Sequence, residues 1–262
     1  MSRIDFNSDL GESFGLWERG ADEALMPAIT SANVACGFHG GDPDVMRATV
    51  DRAKRYGVSI GAHPGLPDLL GFGRRVMEVT PAQVRDYVLY QVGALGAFVR
   101  AAGLSLHHVK PHGALYMMAL DDAAVARAVA DAVAEYDDGL PVYTLAGSEM
   151  EAAAHAAGLR VVPEFFADRP LRGDGSVVMF RWWEAFEATP DRVASRAVSV
   201  ATAQTAQALD GRDVAVVADT ICVHSDTPGA GTIGPAVRRA LEDAGVTVTA
   251  EAAGGREGAA KR

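Results

Sequence analysis

Short apolar runs alternate along the chain with longer segments whose apolar residues recur every three or four positions. The runs fall at 3–8, 30–36, 57–62, 105–110, 141–146, 160–165 and 213–223. Most are rich in Val, Ile and Leu and lack strict polar alternation, the pattern of strands buried on both faces. Helices are predicted between them, near 43–56, 81–102, 122–135, 148–157, 190–209 and 235–244. Three open on a cap residue followed by proline: Asp42-Pro43, Thr80-Pro81 and Thr189-Pro190. The cap oxygen accepts a free backbone N–H, and proline at the first helical position loses nothing by lacking one. Thr80 and Gln83 have capping-box spacing. Val84, Val88, Gln91, Leu95, Phe98 and Ala102 then repeat at three and four, and Gly103 fits a left-handed C-terminal stop.

Strands alternating with helices predict an α/β fold with a parallel sheet and helices outside it. Seven βα units suggest an irregular (β/α) barrel of about seven parallel strands, with 245–249 as an eighth short strand. A doubly wound open sheet is the alternative. A single barrel domain is expected over 1–250. The tail 251–262, rich in Ala, Gly and charge, is predicted to be mobile.

Composition narrows the classes. The 262 residues are 49% hydrophobic and 22% charged, ordinary for a globular chain. No run reaches the roughly 18 apolar residues that span a bilayer. The acidic start Met1-Ser2-Arg3-Ile4-Asp5 has no apolar signal core, so a cytoplasmic protein is expected. A net charge of −10 argues against nucleic acid as the main partner. Two cysteines are too few for a disulfide scaffold or a four-cysteine zinc site.

The unusual residues gather where strands end. Asn7-Ser8-Asp9-Leu10-Gly11-Glu12 closes the first, Asn33 and Cys36-Gly37-Phe38-His39 the second, and Gly61-Ala62-His63-Pro64 the third. His107-His108-Val109-Lys110-Pro111-His112 closes the fourth, Glu164 to Asp168-Arg169 the sixth, and Cys222-Val223-His224-Ser225-Asp226 the last. The carboxyl ends of parallel strands share one rim, so these residues are expected to converge. Side chains alternate between faces of a strand. Asn7 therefore groups with Asp9, His108 with Lys110 and His112, and Cys222 with His224 and Asp226, while His107 points toward the helices.

Several chemistries fit this rim. Asp9 and Glu12 are a carboxylate pair that can divide into general acid and general base. His39, His63 and His112 with Asp9 form either a metal site or a set of hydrogen-bonding catalytic histidines. Lys110 can be a base of lowered pKa, an anion binder, or a buried salt-bridge partner. Cys36 and Cys222 read as small buried hydrophobes rather than nucleophiles. Gly71-Phe-Gly-Arg-Arg75 is either a solvated basic loop or a clamp for a carboxylate or phosphate. Gly229-Ala-Gly-Thr-Ile-Gly234 matches G-x-G-x-x-G without the βαβ context of a dinucleotide fold; a helix-terminal anion site is the remaining functional reading. No ATP-binding P-loop motif occurs.

Six blocks resemble the signature blocks of the LamB/YcsF family, in order over most of the chain. They are Asp5 to Gly15, Ser31 to Pro43, Gly61 to Pro64 with Gly71 to Arg75, His108 to Tyr116, Phe166 to Arg169, and Thr220 to Gly229. The resemblance implies a barrel similar to the glycoside hydrolase/deacetylase type. It also implies an ATP-dependent 5-oxoprolinase A subunit that opens 5-oxo-L-proline to L-glutamate together with subunits B and C, with ATP shared among the subunits; a divalent metal is the further cofactor that the histidine cluster allows. On that basis Asp9, Glu12, Lys110, His112, His224 and Asp226 are the expected catalytic residues, Asp226 orienting a histidine. Asn7, Asn33, Arg74, Asp168 and Arg169 are expected to bind substrate, and His39 and His63 to hold metal with Asp9 or His112. Two departures stand out. Ser8 replaces the cysteine of many members, and Val177-Val-Met-Phe-Arg-Trp-Trp-Glu-Ala-Phe186 replaces a proline-containing segment. Trp182-Trp183 reads there as core or as a partner surface. A stand-alone metal-dependent amidohydrolase or deacetylase and a non-catalytic scaffold are the alternative functions.

Overall fold

In a computed structural model, which describes residues 2–250, the strands close into a ring. The elements in chain order are β1 (Arg3–Leu10), α1 (Asp22–Leu25), β2 (Ser31–Ala35), α2 (Pro43–Tyr56), β3 (Ser59–His63), α3 (Pro81–Ala101), β4 (His108–Val109) and α4 (Gly113–Asp121). They continue with α5 (Ala123–Tyr136), β5 (Val142–Thr144), α6 (Glu149–Ala156), β6 (Val161–Phe166), α7 (Pro190–Ala203), β7 (Thr205–Gln207), β8 (Asp213–Ala215), β9 (Thr220–Cys222), α8 (Ala230–Asp243) and β10 (Thr247–Val248). The ring runs β1-β2-β3-β4-β5-β6-β9 and back to β1, with every pairing parallel. The chain is therefore a closed seven-stranded α/β barrel, and the open-sheet alternative is excluded because β9 bonds to both β6 and β1. No helix among the described residues is long and apolar enough to cross a membrane. The tail 251–262 lies outside the described residues.

The predicted caps are in place. Asp42 accepts from the amides of Asp44 and Val45, Thr80 and Gln83 form a reciprocal box, and Thr189 caps α7. Val84, Val88, Val92, Leu95 and Val99 of α3 form a buried stripe beside Val125, Val129 and Val133 of α5.

Where the structure departs from the pattern, the cause is local. The run 213–223 is two strands. β8 pairs antiparallel with β7 and is largely exposed, and only β9 enters the ring. The helix expected to 209 stops at Ala203, where Gln204 turns left-handed. The last helix begins at Ala230 rather than near Pro235. Gly231 and Gly234 thus lie inside α8, where a Cβ on Gly234 would meet Leu25 of α1 at 2.4 Å. These glycines let two helices approach, which is the packing role of the glycine motif. β10 pairs with β1 at Arg3 and Ile4, just ahead of the stretch that pairs with β9 from Asp5, so the eighth run extends an edge and stays outside the ring.

The barrel interior is a polar column. Asp5, Asn7 and Asp9 of β1 point inward, while Ile4, Phe6 and Leu10 belong to the apolar core. At the lower end the Asp5 carboxylate accepts from Ser31, Thr220 and Tyr143. Such partners make burial of a polar side chain tolerable.

Candidate active site

Above Asp5 the column ends at Asp9. In register Asp9 lies beside Asn33, Asn33 beside Gly61 and Gly61 beside His108. A Cβ on Gly61 would fall 2.1 Å from His108 Nε2. Only glycine lets the His108 ring cross its strand to meet Asn33 Oδ1 at 2.6 Å. The contacts form a directed chain. His107 meets His108 at 3.0 Å through their Nδ1 atoms, His108 donates from Nε2 to Asn33, and Asn33 donates to Asp9 Oδ1 at 2.8 Å. Tyr143 stacks on His108, 3.9 Å between ring centroids, and keeps it in plane.

Lys110 reaches the same oxygen. Its Nζ lies 3.0 Å from Asp9 Oδ1, 2.8 Å from Glu164 Oε1 and 3.2 Å from Cys222 Sγ. Burial pulls the ammonium toward neutrality, but the neighbouring Asp9 and Glu164 charges raise it well above its ordinary value, so it stays charged. Burial would raise the Asp9 carboxyl in turn. The neighbouring His63 ring and the Lys110 ammonium outweigh that and hold it well below the usual carboxylate range.

Beside Asp9 is a second group drawn from four loops or strand ends. Glu12 Oε1 lies 3.4 Å from His39 Nε2, 4.0 Å from His63 Nε2 and 3.4 Å from His112 Nδ1. The outer nitrogens of two rings are spoken for: His63 Nδ1 bonds the Lys110 carbonyl at 2.7 Å, and His112 Nε2 bonds the Phe72 carbonyl at 2.8 Å. Backbone carbonyls accept, so both nitrogens carry hydrogen. The inner nitrogens, His63 Nε2 and His112 Nδ1, then face each other at 3.0 Å. Two lone pairs cannot sit so close unless a proton or a metal cation lies between them. His39 is buried with neither ring nitrogen hydrogen-bonded, and Glu12 Oε1 is likewise orphaned. Burial pulls His39 and His112 well below the ordinary histidine pKa, the neutral form a metal needs. Burial, with the Asp9 and Asp226 charges, pushes the Glu12 carboxyl well above its usual range, and Arg74 offsets only part of this. The four donor atoms lie within 4.8 Å of one another. Ring hydrogens fixed on backbone carbonyls are the usual outer support of metal-binding histidines, and this buried donor set is compatible with a divalent metal. Phe72 adopts left-handed backbone, φ 56°, in presenting its carbonyl. Gly73 beside it must lack a Cβ, which would meet His112 Cδ2 and His39 Cβ at 2.8 Å each.

A third group closes the far side. His224 Nδ1 lies 2.9 Å from Asp168 Oδ1, and its Nε2 lies 3.9 Å from Asp9 Oδ2. Asp168 Oδ2 also takes Arg169 Nη1 at 2.8 Å and Thr227 Oγ1 at 2.6 Å. Burial opposes ionisation of Asp168, and Arg169 and His224 override it and hold its pKa far down. Asp226 sits at the rim, 2.8 Å from Arg74, and pairs with arginines rather than a histidine. The side chain that orients His224 is Asp168, not Asp226.

The residues expected to be catalytic, substrate-binding or metal-holding therefore lie at one end of the barrel, with Arg74 and Asp226 at its rim, whereas Arg75 turns away to pair with Asp68. Glu164 was missed as a site residue. It bonds Asn7 at 3.0 Å and Tyr116 at 3.2 Å besides Lys110. Part of its signal was available, because Glu164 is a charged residue within an apolar strand run. His108 also belongs to the site as the support of Asn33. Of the tryptophan pair, Trp182 is buried and covers the Arg169 guanidinium at 4.3 Å, while Trp183 is exposed.

Residues 4–255 match the LamB/YcsF family. The chain belongs to the LamB/YcsF family. A relative from Syntrophobacter fumaroxidans, named as the A subunit of 5-oxoprolinase, is 50% identical over 248 residues, covering 95% of this chain and 98% of its own. One of the same name from Symbiobacterium thermophilum is 52% identical over 97% of both chains. Among solved structures, a lactam utilization protein from Thermus thermophilus superposes with a TM-score of 0.91 at 48% identity, covering 95% of this chain and all of its own. The catalytic domain of a peptidoglycan N-acetylglucosamine deacetylase from Eubacterium rectale shares only 9% identity at a TM-score of 0.52, a likeness of fold alone, over 97% of this chain and 90% of that one. The LamB/YcsF barrel is thus of the deacetylase-like type expected.

Proposed function

We propose that this chain is the hydrolytic A subunit of an ATP-dependent 5-oxoprolinase, cytoplasmic and a single domain over 1–250, acting with subunits B and C to open 5-oxo-L-proline to L-glutamate. The substrate is taken from the names of relatives matched along nearly their whole length. The observation that carries the reading is the position of Asp9, ionised between charged Lys110 and the His224–Asp168 pair. That is an arrangement for moving protons at an amide. Asp9 takes a proton from water as its oxygen attacks the lactam carbon. His224, held by Asp168, gives a proton to the ring nitrogen as the C–N bond breaks. Lys110 keeps Asp9 ionised in the dry barrel and is not itself the base. Asp9 returns its proton to His224 through one water, because 3.9 Å is too long for a direct hydrogen bond, and the site is reset. Glu12, His39, His63 and His112 would hold a divalent metal, which would supply Lewis-acid polarisation of the amide oxygen. An unstrained lactam resists water; ATP coupling fits transfer of a phosphoryl group to that oxygen with release of ADP, after which water attack and ring opening leave an acyl phosphate that a second water splits to glutamate and inorganic phosphate. The absence of a P-loop motif agrees with ATP being shared with the partner subunits.

The test is glutamate release from 5-oxo-L-proline by this chain alone and mixed with its B and C subunits, with and without ATP. Release only in the complete mixture with ATP, abolished by Asp9→Asn in a folded chain, is the expected result. ATP-independent release by the chain alone would instead favour the metal-dependent amidohydrolase reading, which the Glu12–histidine cluster supports. Full activity of the Asp9→Asn complex would leave only a scaffold.

A further inference from the structure

A cavity of about 200 Å³ opens over the Glu12–His39 edge of the site. Its walls are apolar, made by Phe14, Trp17, Leu69, Leu70 and Phe72, and among the described residues the arginine or lysine that lines it is Arg19. Arg19 was not among the residues singled out in the sequence. Its guanidinium lies over the Phe72 ring, 4.0 Å from the centroid, and Arg74 lies over the same ring at 5.0 Å. Both face Asp226, as does buried Arg169. The spacing is uneven: Arg74 lies 2.8 Å from Asp226, whereas Arg19 and Arg169 stand off at 3.9 and 3.8 Å. Arg169 Nε is buried without a hydrogen-bond partner. One carboxylate is thus shared by three guanidiniums, and Asp168 answers only part of Arg169. Stacking on Phe72 presets the two outer planes, so little freedom is lost when an anion arrives.

We propose that Arg19 and Arg74, stacked on Phe72 and held by Asp226, form the site that binds the carboxylate of a small cyclic amide whose ring lies against the apolar walls. The same Phe72 gives its carbonyl to His112. The anion clamp and the reactive cluster are therefore fixed by one residue, and an anion held by the arginines places the neighbouring ring over Glu12 and His39. This assignment rests on the 5-oxoprolinase reading for the identity of the ring. The arginine–carboxylate contact does not depend on it.

The experiment is calorimetric titration of the full chain with 5-oxo-L-proline, with 5-oxo-L-prolinamide, which lacks the negative charge, and with the open-chain acid N-acetylglycine. The unaltered chain is expected to bind the cyclic acid at least about tenfold more tightly than its amide, the usual scale of a charge-assisted contact. In Arg19→Gln and Arg74→Gln, checked for fold by circular dichroism, that ratio should fall toward one. Arg19→Lys, which keeps charge without the planar fork, should restore part of it. Equal binding of acid and amide by the unaltered chain, or a ratio unchanged in both Gln variants, overturns the clamp and leaves the hydrolase reading standing. Arg19-dependent binding of N-acetylglycine without binding of 5-oxo-L-proline upholds the clamp and overturns the cyclic substrate. Failure of all three ligands to bind overturns the assignment.

Discussion

Asp168 makes four polar contacts with two oxygens, to Arg169, Thr227, the His224 ring and the His224 amide. Asp168→Asn keeps its shape and removes its charge. The buried Arg169 then loses its closest counter-charge, and leaving one ion of a buried pair unmatched costs about 3–5 kcal/mol. The variant should melt well below the parent and release glutamate about a hundredfold or more slowly, as histidine loses its orienting anion. The acid dependence has a definite sign. A carboxyl with lowered folded pKa contributes its full stability above the unfolded value of about 3.9, and that stability is lost as pH falls through the folded value. Chemical denaturation measured between about pH 5 and pH 2 should therefore show a shallower decline in Asp168→Asn than in the parent. A parallel decline would remove Asp168 from the acid response. The cysteines predict an absence of reaction. Burial pushes the Cys36 thiol up to about 12 and Cys222 well above its ordinary value. Neither should react with a thiol reagent near pH 8 until the chain is unfolded; fast labelling of the native protein would contradict the packing around them.

At the scale of elements, what could be read in the sequence was local. Asp42, Thr80 and Thr189 announce helix starts because a cap is a contact within three residues. Alternation on β1 places Asn7 and Asp9 inward for the same reason. The boundary inside 213–223 was not visible, because both halves are apolar and only the pairing of β8 with β7 separates them. α4 was missed since Ala114, Leu115, Tyr116 and Ala119 are all buried and give no polar face from which to read a period. Glu164 and Asp168 needed register across the barrel to show what they touch. Gly61 joins the two levels, since its strand is legible but its need for glycine is not. Gly61→Ala would drive a methyl into the His108 ring. Overpacking of this kind costs about 1–3 kcal/mol. Because the displaced ring supports Asn33 and through it Asp9, activity should fall further than stability explains. The check is to compare glutamate release with folded fraction at one temperature. Activity that simply tracks the folded fraction would make His108 a packing residue only.

For the molecule as a whole, the Glu12–His39–His63–His112 group has a consequence beyond its own chemistry. Glu12 follows β1, His39 follows β2, His63 ends β3 and His112 follows β4, so one ion would tie together four consecutive strands of the barrel. Ligand that binds only the folded state stabilises it by about 2.7 kcal/mol at a concentration one hundred times its dissociation constant. The chain purified without chelator should carry close to one equivalent of a divalent metal by elemental analysis. Stripping it should lower the melting temperature of the entire domain in one transition, and restoring zinc or a similar ion should bring it back. His39→Ala separates the possibilities. The His39 ring has no hydrogen bond to lose, so in a metal-free protein its removal costs the cavity and the stacking on His112 but no polar contact. In a metal protein it removes a ligand, and both metal content and the melting shift on chelation should collapse. A parent chain that holds no metal, and whose melting is indifferent to chelator, would mean that a proton bridges His63 and His112. Proton transfer by Asp9 and His224 would then have to serve the amide without Lewis-acid help.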